Sequence, residues 1–172
     1  MEMQILLIRH GEAVGEAPGL GDEGRFLTRK GRRVSRRVAR WLAKRDERSP
    51  VMIWTSPLVR AVQTAEIIAE RARPRDGVIV RRELSPGADP EELIKLLSAY
   101  GAPGPLGVVG HEPLLSTVAQ ALLGDVDWEG LKKSGVLALA WHGSSGGPAR
   151  MRFLLMPKDL SVETRLKVRD AS

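Results

Sequence analysis

The sequence predicts a layered α/β fold, a mostly parallel central sheet with helices on both faces. Three observations predict it. Short apolar runs alternate with amphipathic, capped stretches along the chain. The first run, "MQILLI" (3–8), is apolar on both faces, as a strand covered on both sides must be. No stretch reads as a linker or an internal repeat, so the 172 residues are expected to form one domain around one core.

The elements follow in order. After "MQILLI" comes a glycine-rich loop, Gly11 to Leu27. Thr28 can cap the helix that follows, "TRKGRRVSRRVARWLAKR" (28–45). At helical spacing Val34, Val38, Trp41 and Leu42 form one apolar stripe, with Arg29, Arg32, Arg33, Arg36, Arg37 and Arg40 on the opposite arc. "VMIWT" (51–55) is the second strand. The next helix begins with Ser56 as N-cap and Pro57 at its first position. "GVIVR" (77–81) is a third strand. "DPEELIKLLSAY" (89–100) opens with Asp89, Pro90 and Glu92, an arrangement resembling a capping box. "LGVVG" (106–110) is a fourth strand, and Pro113 and Gly124 bracket another helix. "VLALAWH" (136–142) and "MRFLLM" (151–156) are late strands split by "GSSGGP". The charged tail from Pro157 carries no structural signal.

Composition limits the function classes. The chain is 42% hydrophobic and 28% charged, which suits a globular protein. It has no cysteine, so disulfide and thiolate chemistry are excluded. No apolar run reaches the roughly 20 residues that a membrane span needs, and "MEMQILLIRHG" lacks a signal-peptide pattern, so a cytoplasmic location and no membrane partner are expected. The net charge of +6 sits largely on the Arg-rich helix. The first reading is a solvated face; the sharper one is a docking face for an acidic partner. Nucleic acid is not expected as a partner, because no aromatic interleaving or recognition motif accompanies the charge.

In α/β sheets ligands bind outside the carboxyl ends of the strands. Arg9 and His10 end the first strand, His111 follows "LGVVG", and Arg60 lies in the first helical turn after "VMIWTS". Three segments thus bring two arginines and two histidines to one sheet edge. Arginine forks match phosphate oxygens, and two of them can hold a phosphoryl group as its charge spreads. A neutral imidazole can attack phosphorus and carry it covalently. Gly11 allows close backbone approach beside the nucleophile. Helix starts at Pro57 and Pro113 can aim backbone amides at an anion. No H-E-x-x-H, aspartate-rich loop or cysteine pair suggests a metal, so phosphoryl transfer without metal or cofactor is the expectation.

These residues also carry a resemblance. "LLIRHGEA", "TSPLVRAVQTAEIIA" and "VVGHEPLLS" resemble, in order and spacing, the motifs of the histidine phosphatase superfamily, the phosphoglycerate mutase-like proteins. The similarity extends to about Met156. It implies a three-layer phosphoglycerate mutase-like fold, His10 as the phosphorylated nucleophile, and Arg9, Arg60, His111 and Gly11 around the phosphate, with no metal. Larger relatives carry an inserted cap; here one strand and one helix fill the corresponding stretch, so no sizeable cap is expected. Those relatives often carry asparagine where this chain has Glu16. "RFLTRKG" and "RRELSPGADPEEL" look like the SixA-type phosphohistidine phosphatases, which implies a histidine-phosphorylated protein as substrate.

Glu83 falls where larger relatives place an acidic proton donor, and equally in a turn where a solvated acid is expected. Ser56 reads first as a cap, Gln63 and Thr64 as helix packing, Asp22 and Arg25 as loop residues that could form a rim, and His142 as a bystander. A phosphatase for phosphohistidine on a protein leads. A phosphatase for a small phosphomonoester comes second. A non-catalytic binding module is disfavoured, because all four pocket residues are present.

Overall fold

The computed structural model describes residues 1–124 and 126–166. Seven strands form one sheet: β1 (Met3–Arg9), β2 (Met52–Thr55), β3 (Val78–Val80), β4 (Pro105–Gly110), β5 (Val136–Trp141), β6 (Arg150–Leu155) and β7 (Val162–Glu163). Their spatial order is β3-β2-β4-β1-β5-β6-β7. The first four run parallel to one another, and β5, β6 and β7 extend the sheet in antiparallel fashion. The helices are α1 (Arg29–Leu42), α2 (Val59–Ala72), α3 (Pro90–Ala99) and α4 (Leu114–Leu123).

The double apolar character of β1 has a simple cause. Side chains alternate across a strand. Ile5 and Leu7 enter a core layer shared with α3, α4 and Trp128. Leu6 and Ile8 enter the opposite layer, built with α1 and α2. All four are at most 1% exposed. Truncating one of them to alanine would cost about 2–5 kcal/mol.

α1 begins where expected: the Thr28 hydroxyl accepts from the Gly31 amide at 2.9 Å. It ends at Leu42, three residues short of the predicted Arg45. Its buried side is Gly31, Ser35, Val38, Ala39 and Leu42, with Val34 and Trp41 only half-buried. The stripe is rotated from the hydropathy pattern because small residues let the helix press on the loop after β1. A methyl group on Gly31 would collide with the Glu12 backbone, and one on Gly11 would lie 2.7 Å from the Ser35 hydroxyl.

α2 starts at Val59, with Leu58 at the cap position, so Ser56 stands ahead of the helix rather than at its N-cap. The Ser56 hydroxyl accepts from the Leu58 amide at 3.2 Å and so shapes the entry turn. α3 is capped by Asp89, with Pro90 at its start. α4 ends on Gly124, whose φ of +90° suits glycine. The stretch between α2 and β4 holds only β3, a short 3-10 turn (Arg82–Leu84) and α3, so no cap covers the sheet edge. The tail contributes β7, two residues paired with β6, where the sequence pattern gave no strand. The rest of that tail, 167–172, lies outside the described residues.

Candidate active site

The carboxyl ends of β1, β2 and β4 and the start of β5 meet at one edge. His10 leaves β1 there, its amide bonded to the Gly110 carbonyl at 3.0 Å. Its Nδ1 lies 2.7 Å from the Gly11 carbonyl. A carbonyl only accepts, so Nδ1 carries the ring proton and Nε2 keeps its lone pair. Arg60 Nε faces that lone pair at 3.4 Å. The His111 ring stands 5.0 Å from the His10 ring, centre to centre. Arg9, His10, Arg60 and His111, four residues from three separated segments, are brought together as the sequence predicts.

Each is held by partners of its own. Arg9 Nη1 donates to the Leu131 carbonyl at 2.9 Å. Leu131 is fixed in turn, since its amide donates to Glu112 Oε1 at 3.2 Å. Arg60 Nη1 donates to the Asp22 carbonyl at 2.7 Å, and Nη2 pairs with Asp22 Oδ2 at 3.1 Å. Arg25 takes the other Asp22 oxygen at 2.9 Å. Arg25 and then Arg60 hold the Asp22 carboxyl below the usual carboxylate range. His111 Nε2 lies 2.7 Å from the Ser56 hydroxyl. With the Ser56 proton donated to Nε2, the proton of His111 is assigned to Nδ1. The Gly11 amide donates to Thr64 Oγ1 at 3.0 Å. Ser134 donates its amide to the carbonyls of Arg9 and His10.

Both histidines are uncharged at neutral pH. Burial pushes His10 down to about 4, helped by the Arg60 and Arg9 charges and opposed by the Gly11 hydrogen bond. Burial, followed by His10 and Arg60, pushes His111 down to about 3. Arg9 Nε and His111 Nδ1 are buried donors without a protein partner. Buried polar groups are nearly always satisfied, so orphan donors in a cationic pocket mark the place of an anion. The arrangement offers one lone pair on a neutral imidazole, two guanidinium groups and an N–H from a second imidazole. That set suits in-line attack on a phosphoryl group.

Some expectations are placed differently. Glu83 sits in the 3-10 turn beyond β3, half-buried and 3.8 Å from Arg82 Nε. It bonds none of the four pocket residues. Two amides in the first turn of α4 are taken within the protein: Leu115 donates to the His111 carbonyl and Ser116 to Glu112 Oε2. The Val59 amide of α2 donates to the Glu23 carbonyl. His142 lies at the far edge of the sheet, 3.4 Å from Glu2. Sequence reasoning passed over Ser56 and Thr64 as site partners. Thr64 had a signal, since it lies four residues after Arg60 and so on the same helix face. The Leu131 carbonyl had none, because a backbone acceptor leaves no mark on the residue type.

The chain and its fold are similar to those of known proteins. A model of the histidine phosphatase superfamily (branch 1) matches residues 5–85. An uncharacterised protein of Picosynechococcus sp. is 33% identical over 142 residues, 80% of this chain and 84% of that one. The structure of the protein histidine phosphatase SixA complexed with tungstate is similar over 92% of this chain and 100% of that chain, with 25% identity and a TM-score of 0.82. A mycobacterial glucosyl-3-phosphoglycerate phosphatase shares the fold at 19% identity, with a TM-score of 0.65 over 88% of this chain and 98% of that one. With motif order, fold and relatives in agreement, the chain belongs to the histidine phosphatase superfamily and is, by that membership, a phosphatase.

Proposed function

We propose that the protein removes phosphate from phosphohistidine on a protein, through a covalent intermediate on His10. The observation that carries this reading is the His10 tautomer. With Nδ1–H on the Gly11 carbonyl, Nε2 keeps its lone pair, which accepts from Arg60 Nε at 3.4 Å and turns to phosphorus when substrate displaces that contact. Nε2 attacks phosphorus as the P–N bond of the substrate breaks; the other nitrogen of the substrate ring carries a proton, so the ring leaves with the bonding pair as neutral imidazole. Arg9, Arg60 and the His111 Nδ1–H take the phosphoryl oxygens. Phosphorylated His10 is a cation whose Nδ1–H stays on the Gly11 carbonyl. Water then attacks phosphorus, the Nε2–P bond breaks, and its pair returns to Nε2; the proton of water leaves with phosphate or solvent.

The leaving group favours phosphohistidine over an ester. The first step exchanges one P–N bond for another. Imidazole, with a conjugate acid near pKa 6.5, departs easily, whereas an alkoxide needs a positioned acid. Glu83, the acid that the family resemblance offers, pairs with Arg82 and bonds none of the four pocket residues. The uncapped edge also leaves room for a protein surface. The similarity to SixA supports the same reading.

The test is phosphate release from a phosphohistidine peptide, sugar phosphates and nucleotides. Faster kcat/KM on the peptide is expected, with His10→Ala inactive but folded, unchanged rates in chelator, and an acid-labile label that maps to His10. A preference for a sugar phosphate or nucleotide, or a label elsewhere, would overturn the proposal.

A further inference from the structure

A cleft of about 480 Å³ opens beside the site, between the start of α1, the loop before β5 and the segment after β6. It adjoins the nucleophile: Glu12 follows His10 by two residues, and Ser134, on the opposite wall, bonds the His10 carbonyl. Its floor includes Val34 and Pro157. Its rim carries Lys30, Arg33, Arg37, Lys133 and Lys158 against one carboxylate, Glu12. Lys30 approaches Glu12 at 3.6 Å, and Arg37 holds the Lys158 carbonyl at 3.3 Å. Among the described residues, Arg33, Lys133 and Lys158 have no ion-pair partner.

We propose that this cleft is the docking groove for an acidic surface segment flanking the phosphohistidine of the substrate protein. The inference rests on the function proposed above and adds how the partner is chosen. Charge complementarity names the occupant. Four of the five cations are exposed, spread over three separate segments around an apolar floor. A pocket for a second small anion would instead converge buried donors on one point. Exposed rim charges raise the encounter rate with an oppositely charged protein and select against like-charged ones. The apolar floor gives such a partner a place for one or two aliphatic side chains. The sequence pattern put the Arg-rich face opposite the apolar stripe as a solvated surface; Arg33 and Arg37 belong to the cleft, while Arg36 and Arg40 remain outside it.

Two phosphohistidine peptides test this, one flanked by aspartate and glutamate around a leucine, the other by lysine and glutamine around the same leucine. They are assayed on the wild type and on Arg33→Glu/Lys158→Glu. Lys133 is left in place because its charge reaches His10. The wild type is expected to favour the acidic peptide, with the double variant losing about tenfold in kcat/KM on it at low salt, mostly through KM, and the loss shrinking at high salt. The variant's rate on phosphoramidate, too small to reach the rim, is expected to match the wild type; Arg33→Gln/Lys158→Gln should fall between. If the wild type cleaves both peptides equally and the variant matches it, the docking groove is refuted while the phosphohistidine activity stands. If neither peptide is cleaved, the proposed function fails and the docking inference fails with it.

Discussion

Acidification tests how His10 is held. The folded protein keeps this imidazole neutral down to about pH 4, against an ordinary value of 6.5. Between those values the unfolded chain binds a proton that the folded chain refuses. Stability therefore falls as pH drops through this window, and His10 adds no further change below it. Integration for one group gives about 2 kcal/mol lost between pH 7 and 5, and about 3 kcal/mol by pH 4. The pH 5 figure hardly depends on where below 5 the folded value lies, because the unfolded chain dominates the proton count there. His10→Asn removes the titration and also lifts one of the charges that depress His111. The assay is urea unfolding of wild type and variant at pH 7 and 5. The wild type should lose about 2 kcal/mol more than the variant on acidification. Equal losses would mean that His10 is solvated enough to titrate normally, and would refute the buried neutral nucleophile.

Other substitutions address neighbouring parts of the argument. Gly31→Ala should cost about 1–3 kcal/mol or more, since the methyl meets the Glu12 backbone, while Gly15→Ala, with open space around it, should stay within about 0.5 kcal/mol in thermal or urea unfolding. Thr64→Val strips the acceptor from the buried Gly11 amide. It should destabilise by about 1–3 kcal/mol and lower kcat more than it raises KM. Arg60→Lys should lose about a hundredfold in kcat/KM, as a point charge replaces a fork that holds Asp22 and, in the proposed reaction, the phosphoryl group. Arg36→Ala, on the exposed side of α1, should stay within twofold of wild type in the same assay, because it touches neither the site nor the groove.

Much of this molecule could be read from residue types. Ile5 to Ile8 announce a doubly covered strand, and the strand-end placement of His10 and His111 announces a site. Thr28 and Asp89 behave as the caps they resemble. What escaped was set by space and by backbone. The rotation of α1 comes from Gly31 and Ser35, which carry almost no hydropathy signal but decide how near the helix can come. Ser56 has a hydroxyl and a following proline, which suits a cap equally well; only the position of His111 shows its second use. Asp22 lies in a loop whose path the sequence leaves open, and its pairing with Arg60 depends on that path. β7 is two residues long, too short for alternation to register.

β1 is bonded along both edges, parallel to β4 and antiparallel to β5, and ends directly in Arg9 and His10. No local fraying can release the nucleophile while the sheet persists. Its amides should therefore exchange with solvent only when the whole chain opens, in the slowest class of the molecule. Activity and spectroscopic signal should then fall together in denaturant, with one midpoint. Turnover in a preparation of this protein should then track the fraction of chains in which the sheet is intact.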